Sequence, residues 1–321
     1  GIISFSLDHL EKVNEEDWVN YPKGVLSILK DEGYEVKKGF DILYEGNIPN
    51  GAGLSSSASI EVLTGIIINE LEDLNISMID LVKISKRAEN EYVGVNSGIM
   101  DQFAVAMGKK DKAMLLDTNT LKYIYADIKL TDAKIVISNT NKQRKLQDSK
   151  YNERRAECEQ ALRNLNQELN LNHLCDLTVE KFDKYKHLII DNVVQRRAKH
   201  AVTENVRTLK AVKALKENNI KEFGRLMDES HDSLRDDYGV TGIELDTLVE
   251  LARAEDGVIG SRMTGAGFGG CTVSIVENDH VEHFIKHVGE RYEAKIGYAA
   301  DFYVVEIGEG AHKIEKEIEQ K

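Results

Sequence analysis

The sequence predicts an α+β protein of two domains divided near residue 138, residues 1–138 and 139–321. Three observations lead there. A chain of 321 residues exceeds one ordinary domain and has ample core for two. Strand-like and helix-like stretches are mixed without the strict alternation of a parallel α/β fold. After Asn139 the composition changes, as a polar, basic crossover at Asn141–Lys150 opens a mostly helical half.

In order, Ile2–Leu7 alternates like a strand already under way, and Phe40–Tyr44 reads as a second one. Between them, Asp17–Lys30 reads as a helix carrying Trp18, Val25, Leu26 and Leu29, entered or broken at Pro22. The apolar spacing of Ile60, Leu63, Ile67 and Leu71 predicts a helix over about 58–71. Ser77 with Asp80 is a capping signal for a helix running to about Tyr92. Gly94–Gly98 is a turn, and Asp101–Met107 a short helix closed by Gly108. Strands are expected at about 112–117, 121–128 and 133–138.

From Tyr151 a long helix places Tyr151, Arg155, Cys158, Leu162, Leu165 and Leu169 on one stripe. Further helices are predicted at 178–186, 191–217, 220–235 and 241–254. Val258–Met263 and Cys271–Val276 read as strands around a glycine-rich turn. A helix at 280–294 and a strand at 301–307 complete the chain. No internal repeat or low-complexity tract occurs.

Composition narrows the function. A formal net charge of −13 disfavours a broad nucleic-acid surface. No apolar run reaches the roughly 20 residues of a membrane span, and the opening residues are not a signal peptide. The three cysteines, Cys158, Cys175 and Cys271, show no paired spacing, which points to reduced thiols in a cytoplasm rather than a disulfide framework or zinc site.

The chemistry concentrates in Asn47–Glu61, NIPNGAGLSSSASIE. Pro49 ends what precedes it, while Gly51 and Gly53 permit torsions closed to other residues and close approach of a ligand. A glycine-rich turn that empties into a helix N-terminus favours a phosphate through unpaired N–H groups and the helix dipole. The plainer reading is a turn plus a cap, but three serines exceed what one cap needs. The Gly-Lys-Ser/Thr ending of a P-loop and the third glycine of a dinucleotide loop are both absent. Downstream, Glu89 near one helix end and Asp101 at the start of another flank Gly94 and Gly98. Taken singly, each acid is most simply a surface or helix-start residue. A carboxylate at a helix N-terminus is expected to have a lowered pKa, which makes Asp101 a weak base but suits phosphoryl transfer, where positioning and charge neutralisation dominate.

Together these stretches resemble the GHMP kinases: the serine-rich loop is similar to their second signature, and Gly94-x-x-Ser97-Gly98-x-x-Asp101-Gln102 follows as it does there. The run from Arg87 to Phe103, the run Asp17–Val25 and the run Lys142–Cys158 are similar to galactokinases. The resemblance covers nearly all of the chain. It implies a two-domain kinase fold with the active site in the cleft between domains, and transfer of the ATP γ-phosphoryl group to the C1 hydroxyl of galactose. It implies Asp101 as the catalytic aspartate, also touching the sugar, and Ser57 and Glu89 as ligands of Mg²⁺. Gly51, Ala52, Gly53, Leu54, Ser55, Ser56 and Ser57 would hold the ATP phosphates, and Trp18, with Tyr21, would lie towards the adenine. Tyr151 is divided between a sugar contact and a core residue.

The second glycine-rich turn, Arg262–Cys271, contains a literal G-x-G-x-x-G, but a β-prone stretch rather than a helix follows. It resembles the third GHMP signature, which implies packing beside the first glycine loop. Galactokinases also carry an N-terminal signature, R-x-N-x-x-G-E-H-x-D-Y, that has no counterpart here. The expectation is therefore that this segment is absent, disordered or carried separately, and that the chain alone binds sugar poorly and turns over little or not at all; a monomer is expected as well. Rival expectations are a related kinase for N-acetylgalactosamine, galacturonate or arabinose, a non-catalytic galactose and ATP sensor, and a nucleotide-free structural subunit.

Overall fold

The computed structural model describes residues 1–13, 18–48, 54–142 and 147–314, with backbone only at 147–149. Its contacts divide the chain into two compact units, one made of Gly1–Pro49, Ser55–Tyr125 and Ile307–Lys321, the other of Asn50–Leu54 and Ala126–Glu306.

The first unit is helical around one core. Helix α1 spans Asn20–Asp31, and Pro22 falls in its first turn, where a missing N–H breaks no helical bond. Helix α2 is Ser56–Leu71, and α3 is Met78–Arg87, started by the Ser77 side chain accepting from the Asp80 N–H at 3.2 Å. A wider π-helical turn, Ala88–Val93, continues α3. Helix α4 spans Met100–Met107, and β1 (Lys112–Leu116) pairs with β2 (Tyr123–Asp127). Val25, Leu29, Val62, Ile68, Leu81, Ile84 and Phe103 are fully buried between these helices.

Three expectations need correction. Residues 2–7 and 40–44 form no strand; Phe5, Leu7 and Phe40 rest half-buried against the helical core without a ladder partner. An alternating pattern makes a strand only when a neighbour takes its backbone groups. Helix α2 forms as predicted but buries Ala58, Val62, Gly65, Ile66 and Ile68, leaving Leu63 and Leu71 exposed. It is apolar on more than one side, so spacing alone does not choose its face. Gly108 ends α4 with φ −54°, not in a left-handed cap; Gly310 lies against it, donating to the Gly108 carbonyl at 2.8 Å.

The second unit holds an antiparallel four-stranded sheet in the order β4-β5-β3-β6, with β3 Ala133–Asn139, β4 Val258–Thr264, β5 Cys271–Glu277 and β6 Asp301–Val305. Its helices are α5 (Gln147–Leu165), α6 (Val179–Tyr185), α7 (Asn192–Lys216), α8 (Ile220–Ser233), α9 (Ile243–Arg253) and α10 (Val281–Ile296). Val136 and Val276 of the sheet pack with Leu248, Phe284, Val288 and Tyr292 of α9 and α10. A second cluster joins Leu165, Phe182 and Val202. Helix α8 touches β4 backbone to backbone: a Cβ on Gly224 would stand 2.1 Å from the Ile259 carbonyl oxygen, and one on Gly260 2.4 Å from that of Gly224.

Candidate active site

The carboxylates and hydroxyls singled out in the first half of the sequence meet in the first unit. Ser57 sits in the first turn of α2, and its Oγ donates to Glu89 Oε1 at 2.9 Å. Glu89 lies on the π-helical turn, where the wider backbone ends a stretch that α3 would otherwise continue. Its other oxygen accepts from Ser97 Oγ and from Gln102 Nε2, the latter at 2.8 Å. With three donors, this nearly buried carboxylate has one orientation.

Asp101, in the first turn of α4, has Ser55 and Glu89 as neighbours that act on its carboxyl. Its pKa is raised, chiefly by burial; the Ser55 side chain opposes the rise and the charge of Glu89 adds to it. This reverses the expectation of a lowered value. Desolvation outweighs the helix dipole here, so Asp101 is a stronger base than an exposed aspartate.

Ser55 occupies the N-cap position of α2 with φ 59°, a left-handed conformation uncommon outside glycine, and makes no side-chain cap. The plain capping role therefore does not describe it. The first-turn N–H groups receive no side-chain oxygen from the cap residue. Leu54 and Ser56 adjoin it in the chain. Gly51, Ala52 and Gly53, with Pro49, lie outside the described residues.

Behind Glu89 stands a residue the sequence reading missed. Glu61, fully buried on α2, accepts from the same Gln102 amide at 3.2 Å. Burial, with Glu89 close by, pushes its pKa up to about 9, so it is a neutral acid at pH 7. The signal was available: Glu61 follows Ser57 by one helical turn, inside an otherwise apolar stretch. Gln102 and Ser97 lay within the matched run, but nothing there marked them as partners of Glu89.

Trp18 is not a core residue. It is 45% exposed and meets Tyr44 edge to face at 5.7 Å, while the Tyr44 hydroxyl pairs with Thr64 of α2 at 2.7 Å. In the second unit, Tyr151 stands 38% exposed on α5, outside the cluster that takes Cys158, Leu162 and Leu165, so the core alternative fails for it. The glycine-rich turn after β4 leads into β5 as a hairpin, as its sequence context predicted. Gly267 lets the turn approach Val240, whose carbonyl accepts from the Phe268 N–H at 2.7 Å. The glycine residues it was expected to pack beside lie outside the described residues.

The donors around Glu89 fit a hard divalent cation. Ser57 and Glu89 offer only oxygens, and their 2.9 Å separation matches the roughly 3 Å edge of an octahedron with bonds of about 2.1 Å, as Mg²⁺ requires.

Comparisons with known proteins identify the family. Residues 20–109 match the GHMP kinases N terminal domain, and residues 211–294 the GHMP kinases C terminal domain. A galactokinase of Fusobacterium nucleatum is 60% identical over 98% of this chain and 81% of its own length. A galactokinase of Clostridium acetobutylicum is likewise 60% identical, over 98% of this chain and 81% of its own. The crystal structure of Lactococcus lactis galactokinase complexed with galactose superposes with a TM-score of 0.93 at 50% identity, covering 97% of this chain and 80% of that one. Neither a missing leading segment nor inactivity is borne out by these comparisons.

Proposed function

The chain belongs to the galactokinases of the GHMP kinase family, and on that premise we propose that it transfers the γ-phosphoryl group of ATP to the C1 hydroxyl of galactose. The observation that carries the assignment to particular residues is the convergence of Ser57, Glu89 and Asp101 from three separate helical segments in one unit.

Ser57 and Glu89 would hold Mg²⁺, which would offset the charge of the phosphate oxygens. The first turn of α2, with Leu54, Ser55, Ser56 and the preceding Gly51–Gly53, holds the triphosphate. Asp101 accepts a hydrogen bond from the sugar C1 hydroxyl and orients its oxygen towards the γ-phosphorus. As the new O–P bond forms, the bond to the β–γ bridging oxygen breaks and ADP departs. The hydroxyl proton passes to Asp101, whose raised basicity suits the role, and then to solvent. Trp18 with Tyr44 offers an aromatic surface to the adenine, and Tyr151 contacts the sugar.

The protein works as a monomer on small molecules in the cytoplasm, with no nucleic-acid or membrane partner. Its three free cysteines support that compartment, and no described helix is long and apolar enough to cross a membrane.

The test is incubation with MgATP and a panel of sugars, read by phosphorus NMR. Galactose 1-phosphate formed faster than any other sugar phosphate is the expected result. ATP hydrolysis without sugar phosphate, or preference for N-acetylgalactosamine, galacturonate or arabinose, would overturn the assignment.

A further inference from the structure

Helix α10 carries His283, His287 and Arg291 at successive intervals of four residues, so the three side chains lie along one stripe. They converge on Glu255, just beyond the end of α9. His287 Nδ1 is 2.9 Å from both carboxylate oxygens of Glu255. His283 Nδ1 is 3.5 Å from Oε2, and Arg291 Nη1 is 3.1 Å from Oε1. One donor atom each from Glu255, His283 and His287 lie within 4.8 Å of one another.

We propose that Glu255, His283 and His287 form a binding site for a borderline divalent transition metal of the zinc class, sharing no residue with the phosphoryl-transfer site. Two imidazole nitrogens and one carboxylate oxygen are a donor set that zinc accepts, leaving further positions to water. The set is too rich in nitrogen for Mg²⁺ or Ca²⁺, which select oxygen.

The geometry is preorganised on the acid and open on the bases. The Glu255 side chain is only 5% exposed, while those of His283 and His287 are 67% and 45% exposed. The guanidinium of Arg291 on Oε1 fixes the carboxylate plane, and Oε2 is the oxygen within reach of both imidazoles. The exposed rings provide the entry path. A metal replaces the proton that His287 Nδ1 shares with the carboxylate, and that proton leaves to solvent. Sequence reading passed over the site because His283 and His287 fix only the helix stripe, whereas Glu255 reaches them through the tertiary fold.

The test is titration of the whole chain, in Mg²⁺ buffer, with Zn²⁺ followed by calorimetry and with Co²⁺ followed by visible absorption. Saturable binding at a single site is expected, weakened about tenfold or more by His283→Ala or His287→Ala and abolished in the double variant. Zn²⁺ should raise the melting temperature of the parent and leave that of the double variant unchanged. Both histidine side chains reach solvent and Arg291 still pairs with Glu255 in the variants, so they are expected to fold, which the melting curves check. Absence of saturable binding, equal binding by the double variant, or a thiolate-to-cobalt charge-transfer band placing the metal on a cysteine would each overturn the proposal.

Discussion

Ser57 Oγ and Glu89 Oε1 stand 2.9 Å apart although 32 residues separate them in the chain, joining the start of α2 to the π-helical turn after α3. That contact brings an uncapped helix start next to a carboxylate held by three donors. A side chain lost from either end should act on metal use before it acts on folding.

Ser57→Ala is expected to raise the Mg²⁺ concentration needed for half-maximal rate, and Glu89→Gln to lower kcat by roughly 100-fold or more. Initial rates across a Mg²⁺ series check this. A Ser57→Ala enzyme with the parent's Mg²⁺ dependence would remove Ser57 from the metal site.

Asp101→Asn should lower kcat by about 10²–10⁴-fold with a smaller effect on the KM for ATP, since it withdraws the proton acceptor. The rate of the parent should fall as pH drops and Asp101 takes up a proton. Because burial raises its pKa, that fall begins at a higher pH than for an exposed aspartate. A pH profile of kcat/KM reads it directly.

Glu61 makes stability depend on pH. Its pKa is about 9 in the folded chain against the 4.5 of an ordinary glutamate, so as pH rises through that window the unfolded chain releases a proton that the folded chain keeps. Stability contributed by the neutral acid is complete below the lower value and is lost towards the upper one. Glu61→Gln should flatten the decline, gaining on the order of 3 kcal/mol over the parent at pH 7. Urea unfolding at several pH values tests it, and parallel curves for the two proteins would refute it.

Trp18 is the single tryptophan of the chain and is 45% exposed, so its fluorescence reports the proposed adenine surface without labelling. MgATP should shift or quench the emission saturably. Unchanged emission at saturating nucleotide would place the adenine elsewhere.

Much of this was legible in sequence because it is local. Ser57, Glu89 and Asp101 each sit at a helix start, end or turn with its own signal, and their runs match a known family. What escaped depends on tertiary surroundings. The alternation of Ile2–Leu7 resembles a strand, but a strand needs a partner, and here only Phe5 and Leu7 rest against the helical core while Ile2 and Ile3 stay exposed. Asp101 reads as a weak base from its helix position, and only burial reverses that sign. Glu61 looks like an ordinary helical acid until Gln102 and Glu89 are seen around it.

The most direct test is a crystal structure with MgADP and galactose bound. The account predicts the metal on Ser57 Oγ and a Glu89 oxygen, with the sugar C1 hydroxyl within about 3 Å of the Asp101 carboxylate. A metal held by other residues, or a sugar bound away from Asp101, would contradict it.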